Sequence, residues 1–160
     1  MIFDLDGTLI NLPLDYDKLI EEFSEIAPAC NFHPLVSAIA KLDEETRKSI
    51  FEAWDRAELA LLGKTTLMEE GKALYDEFSA KPRALVTLQG RAFVGSILAP
   101  LGLSFNDLAT REDSLDRTTQ LKLMIQRLGK PPESIFFIGN TPNDRQAARQ
   151  VGCQYREVKT

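Results

Sequence analysis

Histidine is almost missing from this chain and cysteine is scarce, with one His and two Cys among 160 residues. The cysteines, Cys30 and Cys153, lie far apart and in no metal-ligand spacing, so free buried thiols are expected rather than a thiolate metal site. The single histidine, His33, stands beside Pro34 in a short connection and is read as a packing or surface residue rather than a catalyst. No apolar run approaches the roughly 20 residues a membrane span requires. A leader pattern is also missing, because Asp4 interrupts the first apolar run and no basic stretch precedes it. A cytoplasmic, reducing setting with no membrane partner is the expectation. The net charge of −5 gives no basic surface for nucleic acid. It does not exclude a phosphorylated ligand, whose binding depends on a local cation or metal. Internal repeats and low-complexity tracts are absent.

What remains is an ordinary globular composition, 44% hydrophobic and 27% charged, with enough residues for one core domain and a small insertion. The first apolar segment, Met1-Ile2-Phe3, runs into acids and Gly7-Thr8, which favours a strand entering a tight turn. From Leu14 to Lys81 the period becomes helical. Leu19, Ile20, Phe23, Ile26 and Ala27 share one face, and Ile50, Phe51, Trp54, Ala57 and Leu61 share another behind a candidate N-cap at Asp43. Trp54 is read as a packing residue of that face. A third helix is expected through Leu67, Leu74, Tyr75 and Phe78, with Thr66 and Glu69 spaced as a capping box. This block has no strand signal.

After Pro82 strands and helices alternate. Strands are expected at Ala84-Leu85-Val86, around Leu108 to Thr110, at Ile135-Phe136-Phe137-Ile138 and from Tyr155 to Val158. Helical stripes lie between and behind them: Phe93 to Leu98, Leu121 to Leu128 stopped by Gly129, and Ala147 to Val151. The alternation predicts a parallel sheet with right-handed crossovers, whose ligand sits beyond the carboxyl ends of the strands. Asp4, Thr87 and Asn140 each follow an apolar strand, so three distant polar residues are expected at one crevice. Asp4 and Asp6 would repel each other there unless a proton or a hard cation such as Mg²⁺ stood between them. By spacing alone, Asp-x-Asp-Gly is also a common turn cap, and both readings stay open.

The full string Phe3-Asp4-Leu5-Asp6-Gly7-Thr8-Leu9 resembles the nucleophile motif of the haloacid dehalogenase-like hydrolases, phosphatase type. The resemblance extends over the whole chain. It implies an α/β, Rossmann-like parallel-sheet core, residues 1–13 and 82–160, with an all-helical cap inserted at 14–81. It further implies Mg²⁺-dependent hydrolysis of a phosphate monoester on a small metabolite through an aspartyl-phosphate. In that scheme Asp4 is the nucleophile, Asp6 the acid and base, and Thr87 a donor to the phosphoryl oxygens. Asp6 also distinguishes the motif from the dehalogenase branch. Arg117 takes the place of the usual lysine, with Lys122 as the other candidate. The string Gly139-Asn140-Thr141-Pro142-Asn143-Asp144 matches the last motif with Asn140 in place of a metal-binding aspartate. The implied metal set is therefore Asp4, Asp6, Asn140 and Asp144. Two alternatives remain: a weakly active or non-catalytic member serving as a ligand- or protein-binding module, favoured by Asn140 and Arg117, and a phosphomutase, which would share every motif.

Overall fold

The computed structural model describes residues 1–159 and is built on a five-stranded parallel sheet. Its strands are β1 (Ile2–Phe3), β4 (Ala84–Val86), β5 (Asp107–Ala109), β6 (Phe136–Gly139) and β7 (Gln154–Glu157), in the order β5-β4-β1-β6-β7. The first strand is thus the central one, paired with β4 and β6 in the register Ile2 to Ala84 and Phe137, and Phe3 to Leu85 and Ile138. Alternation along each strand divides the core. Phe3, Leu85 and Ile138 enter one apolar cluster with Phe93, Val94, Leu74 and Tyr75. Ile2, Ala84, Val86 and Phe137 enter another with Leu121, Met124, Ala147 and Ala148.

Accordingly α5 (Arg91–Ile97) and α4 (Glu69–Glu77) cover the first face, and α6 (Arg117–Leu128) and α7 (Pro142–Val151) the second. Gly129 ends α6 in the left-handed region, as the sequence implied. The weak strand expected at Leu108 to Thr110 forms one residue earlier, and the last strand likewise begins at Gln154.

The helical block holds α1 (Tyr16–Ile26), α2 (Leu35–Ala40), α3 (Glu44–Leu59) and α4. The first three close around Leu19, Phe23, Phe32, Ile39, Ile50, Ala53 and Trp54, whereas α4 contributes to the sheet's own cluster. Asp43 does cap α3, accepting from the Thr46 N–H at 2.8 Å. The six-residue α2 was not foreseen and is too short to show a period.

Two expectations about this block are corrected. It contains a strand, β3 (Thr66–Leu67), antiparallel to β2 (Ile10–Asn11), with Asn11 opposite Thr66. Thr66 and Glu69 form no capping box either; Met68 is the N-cap of α4, without a side-chain cap bond, and Leu67 is exposed rather than part of an apolar stripe. The ribbon engages the backbone that the cap would have used, and the Met68 N–H continues it onto the Leu9 carbonyl at 2.8 Å.

α4 crosses the loop after β1 closely enough that a Cβ on Gly71 would lie 1.8 Å from the Thr8 carbonyl oxygen. Backbone cannot yield as a side-chain tip can. Gly71→Ala is therefore expected to cost about 1–3 kcal/mol through overpacking, measured as a lower urea midpoint. A midpoint equal to that of the wild type would mean that α4 is not seated against this loop.

Candidate active site

β1 delivers Asp4 to the middle of the carboxyl edge, where the Asp4 N–H still bonds the Ile138 carbonyl at 2.9 Å. The chain then folds sharply. The Leu5 carbonyl accepts from the N–H groups of Thr8, Leu9 and Ile10 at 3.2, 2.8 and 3.1 Å. Gly7 takes a φ of 80°, and its missing Cβ leaves room for the Asn140 side chain. Asp4, Thr8, Thr87, Arg117 and Asp144 are all buried, while Asp6 and Asn140 are half-buried.

Of the residues singled out in the sequence, Arg117, Asn140 and Asp144 gather around Asp4. The Arg117 Nη2 donates to Asp4 Oδ1 at 2.9 Å, and its Nε donates to Asp144 Oδ1 at 3.0 Å, so one guanidinium bridges two carboxylates. Lys122 is exposed one turn further along α6. The other Asp4 oxygen, Oδ2, accepts from the Thr8 hydroxyl at 3.2 Å, and that hydroxyl also lies 3.3 Å from Asn140 Oδ1. Asp144 is occupied on both oxygens. Its Oδ2 accepts from the N–H groups of Asn140 and Thr141, each at 3.2 Å, and closes a capping box with Thr141 at the start of α7. Asp144 thus orients Asn140 and Arg117. Asp6 turns toward the chain leading to the cap, its Oδ1 accepting from the Leu12 N–H at 3.1 Å.

Burial pushes the Asp4 carboxyl up to about 7, with Asp144 and Asp6 adding to the rise and Arg117 opposing it. Burial also raises Asp6, against the pull of the Leu12 and Gly7 N–H groups. A carboxyl held above its usual range is suited to giving up a proton near neutral pH.

Thr87 lies at the end of β4, but its hydroxyl is already engaged: it donates to Gln89 Oε1 and accepts from the Gln89 N–H at 3.1 Å. Its carbonyl accepts from Gln120 Nε2 at 2.8 Å, and Gln120 Oε1 accepts from Arg117 Nη1 at 2.8 Å. Gln120 carried no sequence signal. A second cluster, buried Arg111 and Glu58 with half-buried Asp55, sits between α3 and the Thr87 loop and also escaped the sequence reading. Glu58 offered a clue, four residues after Trp54 on an apolar helical face, where an acid needs a partner. His33 is exposed, and Trp54 is packed in the cap cluster.

Among the described residues, no three His, Cys, Asp or Glu side chains gather as a metal-binding group. Beside Asp4 stand the Thr8 hydroxyl, 3.2 Å from Asp4 Oδ2, and Asn140 Oδ1, 3.3 Å from that hydroxyl. Those oxygens remain hard donors of the kind Mg²⁺ prefers, with little charge to hold it.

A central strand that ends on Asp-x-Asp, a five-stranded parallel sheet and an inserted, mainly helical block give this chain the fold seen in haloacid dehalogenase-like hydrolases. No family model matches it, and no curated protein matches it in sequence. Solved structures share its fold. A haloacid dehalogenase-like hydrolase from Streptococcus pneumoniae aligns at a TM-score of 0.69 and 19% identity, covering 96% of this chain and 81% of that one. CbbY from Rhodobacter sphaeroides, solved in complex with phosphate, aligns at 0.71 and 16%, covering 99% and 85%. A protein from Lactobacillus plantarum, provisionally described as a phosphoglycolate phosphatase, aligns at 0.71 and 17%, covering 96% and 83%.

Proposed function

We propose that the chain hydrolyses a phosphate monoester on a small metabolite, with Asp4 as nucleophile and Mg²⁺ as cofactor. The observation that carries this reading is the state of Asp4, a carboxylate at the end of the central strand with Arg117 on one oxygen and a hydroxyl on the other. The names of the structural neighbours from Lactobacillus plantarum and Rhodobacter sphaeroides, a phosphatase and a phosphate complex, agree with it.

In the first step an Asp4 oxygen forms a bond to phosphorus while the ester oxygen leaves with a proton from Asp6. In the second, Asp6 takes a proton from water, whose oxygen attacks the same phosphorus. Inorganic phosphate departs and the Asp4 carboxylate is restored. Arg117 offsets the negative charge of Asp4 and Asp144 and limits repulsion as an anionic substrate approaches. Thr87 would donate to a phosphoryl oxygen once its hydroxyl turns from Gln89. The Asp4 carboxylate, the Asp6 backbone carbonyl and Asn140 Oδ1 would hold the metal, with Asp144 bracing Asn140. When bound, the ion would polarise the phosphoryl oxygens and neutralise charge.

The test is an assay of p-nitrophenyl phosphate and a panel of phosphorylated metabolites, with and without Mg²⁺ or Mn²⁺. Release of inorganic phosphate is expected; an isomeric phosphate ester instead would establish a phosphomutase. Restoring the missing charge should also strengthen the site. Asn140→Asp is expected to tighten Mg²⁺ roughly 10- to 100-fold and to raise activity at limiting metal, followed by calorimetry and by metal titration of the rate. No gain in affinity would remove Asn140 from the ligand set. A gain in affinity with no turnover in either protein would favour the binding-module reading.

A further inference from the structure

The cluster beside the Thr87 loop joins the cap to the core through three side chains. Arg111 follows β5 and is fully buried, as is Glu58 on α3. The Arg111 Nη1 donates to Glu58 Oε1 at 2.9 Å and to the Leu88 carbonyl at 3.2 Å, while its Nη2 pairs with Asp55. The guanidinium lies 4.4 Å from the centre of the Trp54 ring. Glu58 Oε1 also accepts from the Gly90 N–H at 3.0 Å. A cap helix therefore bonds directly to the backbone of the segment that follows Thr87. Gly90 permits that approach, since a Cβ there would stand 2.2 Å from Asp55 Oδ1 and 2.6 Å from Arg111 Nη2.

The same loop is held from the core side by Gln120, which donates to the carbonyls of Thr87 and Thr110 at 2.8 and 3.2 Å. One anchor comes from α6 and the other from α3. Among the described residues, the buried side-chain atoms without a hydrogen-bond partner are Trp54 Nε1, Glu58 Oε2 and Arg111 Nε, all in this cluster. Unpaired buried polar atoms favour whatever state solvates them.

We propose that Glu58 and Arg111 are positioning residues that couple α3 to the Thr87 loop and hold Leu88 to Gly90 in place beside the site. The consequence for turnover rests on the phosphatase reading; the coupling itself does not. Through this segment α3 then helps to place the Thr87 hydroxyl, the proposed donor to a phosphoryl oxygen.

The experiment is amide hydrogen exchange by NMR on the full-length ¹⁵N-labelled protein and its Glu58 variants. Glu58→Ala is expected to speed Gly90 exchange about tenfold or more, because a hydrogen bond to a carboxylate is lost. Amides of β1 and β6 should stay near their wild-type rates. Glu58→Gln keeps an Oε1 acceptor and should restore Gly90 protection. If Glu58→Ala does not fold, Glu58→Asp, one methylene too short to reach Gly90, takes its place. In the phosphatase assay the Ala variant should lose about tenfold in kcat with little change in KM, and the Gln variant should recover it. Unchanged Gly90 exchange, or an equal loss of protection across the whole sheet, would overturn the coupling. A wild type with no turnover would defeat the phosphatase reading and leave the exchange result to decide the coupling.

Discussion

Asp4→Asn is expected to remove phosphate-ester hydrolysis, a loss of roughly 10⁴-fold or more, because the amide cannot serve as the nucleophile. The same substitution should make the protein more stable in alkaline solution. Burial holds the Asp4 carboxyl at about 7 in the fold, against about 3.9 in an unfolded chain. The native state therefore binds this proton more tightly than the unfolded state does. The group's contribution favours folding most at acid pH and declines as pH rises from the unfolded value through the folded one. An asparagine is free of that decline and can still accept from Arg117. Its advantage over the wild type should grow by about 1–3 kcal/mol between about pH 5 and pH 8. Urea midpoints at the two pH values, in a chelator, measure it. An advantage that is constant or shrinks with pH would mean that Asp4 is not a strained carboxylate, and turnover by the variant would remove it as nucleophile.

The second large effect concerns Arg117. Its guanidinium serves Asp4, Asp144 and Gln120 at once and is 8% exposed. Arg117→Met would leave two neighbouring buried carboxylates with no counter-charge, and a loss of about 3–5 kcal/mol is expected at neutral pH. That is a large part of the roughly 5–15 kcal/mol that stabilises a typical domain. The loss should widen as pH rises above about 7, where the wild-type Asp4 gives up its proton beside Arg117 and the variant has no cation to offset that charge. Arg117→Lys should fall between, since one ammonium cannot reproduce a planar fork that reaches two carboxylates. Phosphatase activity of the Met variant, measured where it remains folded, should be lost with the stability. A cost under about 1 kcal/mol would show that the bridge is solvated rather than buried.

These two residues also mark what sequence reasoning could reach. Asp4 was legible because a short apolar strand ends in a dense, specific string. Arg117 was legible by its offset from Gly129, although only the fold separates it from Lys122. The strand at Phe136–Gly139 declared itself through consecutive apolar residues bounded by glycine. By contrast, β2 and β3 have two residues each, too few for any period, and their pairing across the inserted helices left Thr66 free to be taken for a cap. Glu58 and Arg111 were hidden for a related reason. Their partnership spans 53 positions, and neither residue belongs to a local pattern that names the other.

The short ribbon of β2 and β3 has an architectural consequence. With Asn11 directly opposite Thr66, the polypeptide leaves the sheet and comes back to it at neighbouring points. Everything between those points hangs from a paired stem, much as a loop of RNA hangs from its closing base pairs. The stem fixes where the suspended segment departs and rejoins, and a further polar tie to the core runs through Glu58 and Arg111, so a replacement segment would have to keep that tie as well as the stem.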